Sequence, residues 1–377
     1  MRIVIAPDSF KGSLDAGDAA NIIKEGVLSV LPEAEVELIP MADGGEGTVD
    51  AMVAATGGRI VKAVVKGPLM EDVESRFGIL GDGETAVIEM ASASGLTLVP
   101  PGRRNPLTAT TYGTGQLILR ALDLGCRKFV VGIGGSATVD GGTGMARALG
   151  VRFVDAEGKD IDQGGGFLDS LHDIDMGGLD PRIRESVFRA ACDVDNPLTG
   201  ETGAARVYGP QKGASDDMIQ ILDRNLSHLS CIVQRVTGQN LKDIPGAGAG
   251  GGMGFGLMSF LNARLESGVQ IVLETVAFQS RVEGAGLIIT GEGNIDSQTY
   301  HGKTILGVSR IAKKLGIPVV AIAGGIKGDM SLLHREGITA AISICSGPMS
   351  VDTAMENAGV LLRDAAASAM KLIGINL

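Results

Sequence analysis

At 377 residues the chain is longer than one hydrophobic core comfortably fills, so two domains are expected. Its 44% hydrophobic content suits a soluble α/β protein, whereas 3% aromatics, no tryptophan and a formal charge of −11 argue against a nucleic-acid stacking platform or an anionic-membrane binder. An anionic small molecule is still bindable, through a few placed cations and backbone N–H groups.

The first strand, Arg2–Ala6, stops at Pro7-Asp8-Ser9. No basic leader and no long apolar run precede or follow it, so neither a secretory signal nor a membrane span is expected. A helix is expected from Leu14 to Leu31, capped by Ser13 with Asp15 in its first turn. A second strand, Glu35–Pro40, leads into Asp43-Gly-Gly-Glu-Gly-Thr48 and another helix. This strand-loop-helix rhythm belongs to parallel sheets.

The middle of the chain is patterned differently. From Val61 to Glu89, short alternating segments joined by Gly-Pro and Gly-Asp-Gly turns suggest hairpins. A helix near Gln116–Leu124 and strands at Lys128–Ile133 and near Val187–Val194 follow. Two glycine-rich runs stand out here, Gly132-Ile-Gly-Gly-Ser-Ala-Thr-Val-Asp-Gly-Gly142 and Pro245-Gly-Ala-Gly-Ala-Gly-Gly-Gly252. Glycine at this density is costly in entropy, so it is expected where backbone must turn sharply or approach something closely. Any single glycine here is explained by a turn; the two runs together point to phosphate held by N–H groups.

The opening rhythm returns with strands Gly286–Gly291, Pro318–Gly324 and Thr339–Ile344 and a closing alanine-rich helix. A five-stranded parallel sheet therefore needs both ends of the chain. Residues 1–66 and 270–377 are expected to form a discontinuous Rossmann/flavodoxin-like α/β domain. Residues 67–269 form an inserted mixed α/β domain, with the return boundary between 250 and 285. Cys126, Cys192, Cys231 and Cys345 lie far apart, and His172, His228, His301 and His334 form no zinc pattern. The scattered cysteines suit a reducing, cytoplasmic setting rather than a disulfide frame or zinc site.

Familiar nucleotide motifs fail. Gly302-Lys303-Thr304 ends like a P-loop, but Ser297 stands where its first glycine is required. Gly246-Ala-Gly248-Ala-Gly-Gly251 has dinucleotide-fingerprint spacing without a preceding strand, which that motif demands. What remains is charge at strand ends, where parallel sheets bind ligands. Asp8, Ser9 and Lys11 follow the first strand, and Asp43 and Glu46 the second. Glu292, Asp296, Gln298 and Lys303 follow Leu287-Ile-Ile-Thr290. Each residue alone is explained as a cap or a solvated charge; together they suggest one crevice. In the insert, Asp193 and Asp195 end an apolar strand two residues apart, which suits magnesium or general-base work, or an Asx turn before Pro197. Lys212, in Gly209-Pro-Gln-Lys-Gly-Ala214, is expected to be an exposed loop cation. Phosphoryl transfer uses these parts.

These residues resemble the class I bacterial glycerate kinases. The matching stretches are Ala6-Pro-Asp-Ser-Phe-Lys-Gly-Ser-Leu14, Ala42-Asp-Gly-Gly-Glu-Gly-Thr48, the run 132–142, Ala191-Cys-Asp-Val194, Asn196-Pro-Leu198, Tyr208–Ala214, Pro245–Gly248 and Thr290–Gly293 through Asp296. They span the chain in order. The resemblance implies ATP-dependent phosphorylation of D-glycerate at the 2-hydroxyl, with ATP and Mg2+ required and the active site between the two domains. Asp195 departs from the family, whose members often carry an uncharged residue there, so Asp193 is favoured as general base or magnesium anchor. Lys11 and the N–H groups of Gly134, Gly135 and Ser136 are expected to hold phosphate or the glycerate carboxylate. Asp8, Ser9, Asp43, Lys212, Glu292, Asp296 and Lys303 are expected at the substrate site. Two rivals remain: a non-catalytic sensor of phosphorylated three-carbon acids, which needs no Asp193, and a nicotinamide-dependent dehydrogenase. The position of ATP, the oligomeric state and, from residue types alone, 2- against 3-phosphorylation stay open.

Overall fold

A computed structural model describes residues 1–296, 303–327 and 330–374. In chain order the strands and principal helices begin with β1 (Arg2–Pro7), α1 (Ala16–Val30), β2 (Glu35–Leu38) and α2 (Thr48–Thr56). There follow β3 (Arg59–Lys66), β4 (Asp72–Ile79), β5 (Thr85–Glu89), α3 (Tyr112–Asp123), β6 (Lys128–Gly132), β7 (Arg152–Val154) and β8 (Asp173–Asp175). Next come β9 (Val187–Ala191), α4 (Asp216–Thr237), α5 (Ala249–Leu261), β10 (Arg264–Glu266) and β11 (Leu287–Ile295). The chain closes with α6 (Thr304–Leu315), β12 (Val319–Ile326), β13 (Ala340–Ser343), α7 (Val351–Glu356) and α8 (Ala358–Gly374). None of the described helices is long and apolar enough to cross a membrane.

Contacts divide the chain into two compact units. The first comprises Met1–Asp43, Asp50–Gly57 and Val269–Leu377, and the second Gly44–Val49 and Gly58–Gly268. In the first unit five strands form one sheet in the order β13-β12-β11-β1-β2, every pair parallel. Renumbered within the sheet this is 2-1-3-4-5, the flavodoxin-like order. Strand alternation explains the two-sided core. Val320 and Ile322 join Ile3, Ile5, Ile23 and Leu362 on one face, while Ala321 and Ala323 join Ile305, Leu306 and Leu333 on the other. Helices α1 and α8 approach so closely that a Cβ on Gly26 would stand 2.4 Å from the Arg363 carbonyl oxygen.

The second unit carries a six-stranded mixed sheet, β10-β9-β6-β5-β4-β3. Strands β3–β5 are antiparallel neighbours, as the turn chemistry of residues 61–89 suggested, and β5, β6, β9 and β10 run parallel. Its core includes Phe129 stacked on Phe188 at 4.5 Å and Phe153 edge-on to Phe260 at 5.6 Å.

Local details correct the expectations at several points. Strand β3, placed before the domain boundary from sequence, is the edge of the second sheet, because its whole length pairs with β4. Helix α1 is capped by Asp15, whose carboxylate accepts from the Asp18 N–H at 2.7 Å, while Ser13 donates its hydroxyl to the Phe10 carbonyl. Strand β11 continues through Gly291 to Ile295, held by its pairing with β12. The 246–251 glycines follow a turn, with no strand before them, and that removes the dehydrogenase reading.

Candidate active site

In the first unit, Asp8, Ser9, Lys11, Asp43, Glu292 and Lys303 line one cleft of about 490 Å3 outside the carboxyl ends of β1, β2 and β11. The parallel register places these residue sets side by side, since Pro7 is level with Gly291. Lys11 is 74% exposed and its ion pair to Asp43 is loose, at 3.6 Å, so its charge is available to a ligand. Lys303 lies 3.5 Å from the buried Glu292. Asp296 is not among the lining residues; its carboxylate accepts from the Asn294 amide at 2.7 Å. Gln298 lies outside the described residues. Glu46 is exposed on the segment that belongs to the second unit. Sequence inspection missed Asn294, Gly325 and Lys327, which line the same cleft beyond where β11 and β12 were expected to end, and Gly324, the last residue of the expected β12.

Asp8, like Glu292, is a buried acid of this cleft. It accepts from the Ser9 N–H at 2.6 Å and the Thr304 hydroxyl at 2.5 Å. Loss of water pushes its carboxyl up to about 6; Asp43 adds to the rise, while the Thr304 and Ser9 hydrogen bonds and Lys11 oppose it. Relative to the ordinary value of 3.8, the folded protein holds the extra proton between pH 3.8 and 6. Stability present at low pH is lost across that window, and above it the charged carboxylate costs about 3 kcal/mol. An asparagine keeps both hydrogen bonds, accepting from Ser9 and donating to Thr304. Asp8→Asn is therefore expected to raise the urea-unfolding midpoint at pH 8 and to leave it unchanged near pH 4. An equal gain at both pH values would show that the desolvated charge is not the cause.

In the second unit, the parallel strands β6, β9 and β10 end beside one another. Gly134 and Gly135 follow β6, Asp193 follows β9 and Gly268 follows β10. The Asp193 carboxylate is exposed, and one oxygen accepts the Gly268 N–H at 3.1 Å. Gly134 and Gly135 are also exposed, and nothing stands within 4 Å of a Cβ built on Gly134. Gly44 packs against the same strand ends, where its Cβ would meet Ala191 at 2.7 Å and Gly268 at 2.8 Å. Anions can reach this edge through the open 134–135 backbone.

Lys212 contradicts its expected exposure. It is 2% exposed and donates to the Ser136 hydroxyl at 2.6 Å and the Thr138 carbonyl at 2.7 Å. Burial brings its ammonium down to about 7, partly offset by Asp140. The chain turns inward here because Gly213, at φ +91°, lies against Arg104. Lys212 thus fixes the loop that carries Ser136. Asp140, not singled out from sequence, is fully buried and accepts from the Thr111 N–H and hydroxyl, both at 2.8 Å, and from the N–H groups of Gly142 and Gly144. The second glycine run is likewise occupied by protein. A Cβ on Gly251 would lie 1.8 Å from the Thr138 carbonyl oxygen, one on Gly248 2.2 Å from that of Pro197, and one on Gly250 2.8 Å from that of Ile133. Close backbone packing, rather than a phosphate cradle, accounts for these glycines.

Among the described residues no three of His, Cys, Asp and Glu converge as a metal-binding group. A magnesium ion carried on phosphates needs only one or two protein carboxylates, so the exposed Asp193 fits that requirement.

Residues 3–374 match the model of the Glycerate kinase family. The chain is 53% identical over 372 residues to the glycerate kinase of Bacillus subtilis, covering 98% of this chain and 97% of that protein. It is 51% identical over 358 residues to the glycerate 2-kinase of Escherichia coli, covering 95% and 94%. A crystal structure from Salmonella typhimurium, provisionally assigned as a glycerate kinase 2, aligns with a TM-score of 0.93 at 46% identity, covering 100% of this chain and 99% of that one.

Proposed function

Because the chain belongs to the glycerate kinase family, we propose that it moves the γ-phosphoryl group of ATP to the 2-hydroxyl of D-glycerate, giving 2-phosphoglycerate and ADP. The match of residues 3–374, end to end with kinases of this name, carries the reading. The acceptor oxygen bonds to the γ-phosphorus as the bond to the β-phosphate oxygen breaks, and the hydroxyl proton must leave.

Asp193 is the residue we assign to that proton. Its carboxylate is exposed at a strand end and oriented by the Gly268 N–H, as a general base requires. Magnesium supplies charge neutralisation on the phosphates, and Asp193 is also the carboxylate suited to hold it. The N–H groups of Gly134–Ser136 and the exposed Lys11 are assigned to phosphate or to the glycerate carboxylate. Lys212 positions Ser136 from within. In this proposal the two compact units are the enzyme's two domains.

Turnover of ATP should require D-glycerate and magnesium, and phosphorus NMR should show 2-phosphoglycerate as product. Equal rates with glucose, full activity with the metal chelated, or 3-phosphoglycerate as the product would each overturn part of this proposal. Binding of phosphorylated three-carbon acids without turnover would return the sensor reading.

A further inference from the structure

The first-unit cleft has two chemically different ends. One end is polar and carries charges of both signs, with Lys11, Ser9, Asp8 and Asp43 beyond β1 and β2 and Lys303 ahead of α6 beside Glu292. It lies where the sheet order reverses, between β1 and β11, which is where open parallel sheets bind ligands. The other end is apolar. Ile344 at the end of β13, Met349 in the loop that follows, and Val351 and Met355 on α7 form its wall. The floor between the ends is backbone, contributed by Gly293, Gly324 and Gly325. That floor is flat because it must be: a Cβ on Gly324 would meet the Gly293 carbonyl oxygen at 2.5 Å.

This apolar end asks for an occupant. Val351 is 74% exposed, Met355 38% and Met349 37%, so three apolar side chains of one concavity are held in water. A three-carbon hydroxy acid has no apolar face to cover them, and a cleft of about 490 Å3 is the size of a site for a larger organic ligand. A planar purine does have such a face, and methionines adapt to flat rings. Phosphates joined to it would extend toward the lysines.

We infer that this cleft is the nucleotide site, with the purine base on the Ile344–Met355 wall and the phosphates at Lys11, Lys303 and Lys327. The inference rests on the kinase reading and adds where, within the first unit, the nucleotide lies. Glycerate, in this arrangement, has no use for the apolar wall.

The test uses the full-length enzyme. Photolabelling with 8-azido-ATP, which reacts from the base, is expected to mark a peptide within residues 344–358. Calorimetric titration with Mg-ADP of Val351→Asp and Met349→Asp should show affinity lost by about tenfold or more, because each places a carboxylate against the base and near the phosphates. KM for ATP should rise in step, while KM for D-glycerate and the thermal midpoint stay at the wild-type values. Label on a second-unit peptide, or unchanged ADP affinity in both variants, overturns the inference while wild-type turnover leaves the kinase reading standing. A wild-type enzyme that forms no ADP with glycerate overturns the kinase reading itself.

Discussion

Asp193→Asn is expected to lower kcat by about 10²–10⁴-fold, the usual share of general-base assistance in such a transfer, while the protein stays folded. In barrier terms this is about 3–5 kcal/mol. The substitution is close to isosteric, and the asparagine carbonyl oxygen still accepts the Gly268 N–H that now meets the carboxylate at 3.1 Å. The side chain is exposed, so no desolvated group is left behind. Only negative charge and basicity are removed. If Asp193 instead serves merely to shape the turn ahead of Pro197, the order of effects reverses: stability falls and turnover survives. Thermal midpoint and kcat measured on one preparation separate the two, and near-native turnover would remove Asp193 from the chemistry.

Much of this architecture is legible in the amino-acid sequence. Arg2–Ala6 and Leu287–Thr290 are short apolar runs bounded by Pro, Gly and Asp, and their similarity at opposite ends of the chain implied one sheet; they are paired neighbours, Ile3 against Leu287. The charged residues just beyond them were found for the same reason. Strand lengths were less legible. Gly291-Glu-Gly-Asn-Ile295 has neither apolar alternation nor β-branched density, and is extended because β12 offers it a ladder. Without the matching extension of β12 past Gly324, Gly325 and Lys327 have no visible link to the cleft.

Lys212 was illegible for a different reason. Gly-Pro-Gln-Lys-Gly has the composition of an exposed loop, and the partners that bury it, Ser136 and Thr138, stand more than seventy residues earlier. Local sequence holds propensity, and a buried lysine is decided by contacts that only the fold creates. Asp140 lies inside a glycine run, where nothing local distinguishes a carboxylate that collects four backbone and hydroxyl donors from one capping a turn.

The two glycine runs supply the sharpest test of what glycine is for in this chain. Gly251→Ala is expected to destabilise by about 2–5 kcal/mol, combining an L-residue in left-handed backbone with overpacking. Gly251 sits at φ +74°, and the added methyl would lie 1.8 Å from the Thr138 carbonyl oxygen. That oxygen cannot simply retreat, because it accepts from Lys212 at 2.7 Å, and the Gly251 carbonyl in turn accepts from the Gly141 N–H at 3.1 Å. Such a loss is a large fraction of the about 5–15 kcal/mol that keeps a domain folded, so poor solubility or a much lower thermal midpoint is the expected observation. Gly134→Ala is the counterpart. Gly134 has no positive φ, and nothing lies within 4 Å of the new methyl, so its thermal midpoint should match wild type. The methyl would instead project from an exposed backbone assigned to phosphate or carboxylate, raising KM for ATP or for glycerate. Measured together, the pair separates packing from binding. If Gly251→Ala kept its thermal midpoint and lost only substrate affinity, the second run would be a ligand cradle after all, and the packing role given to it here would be wrong.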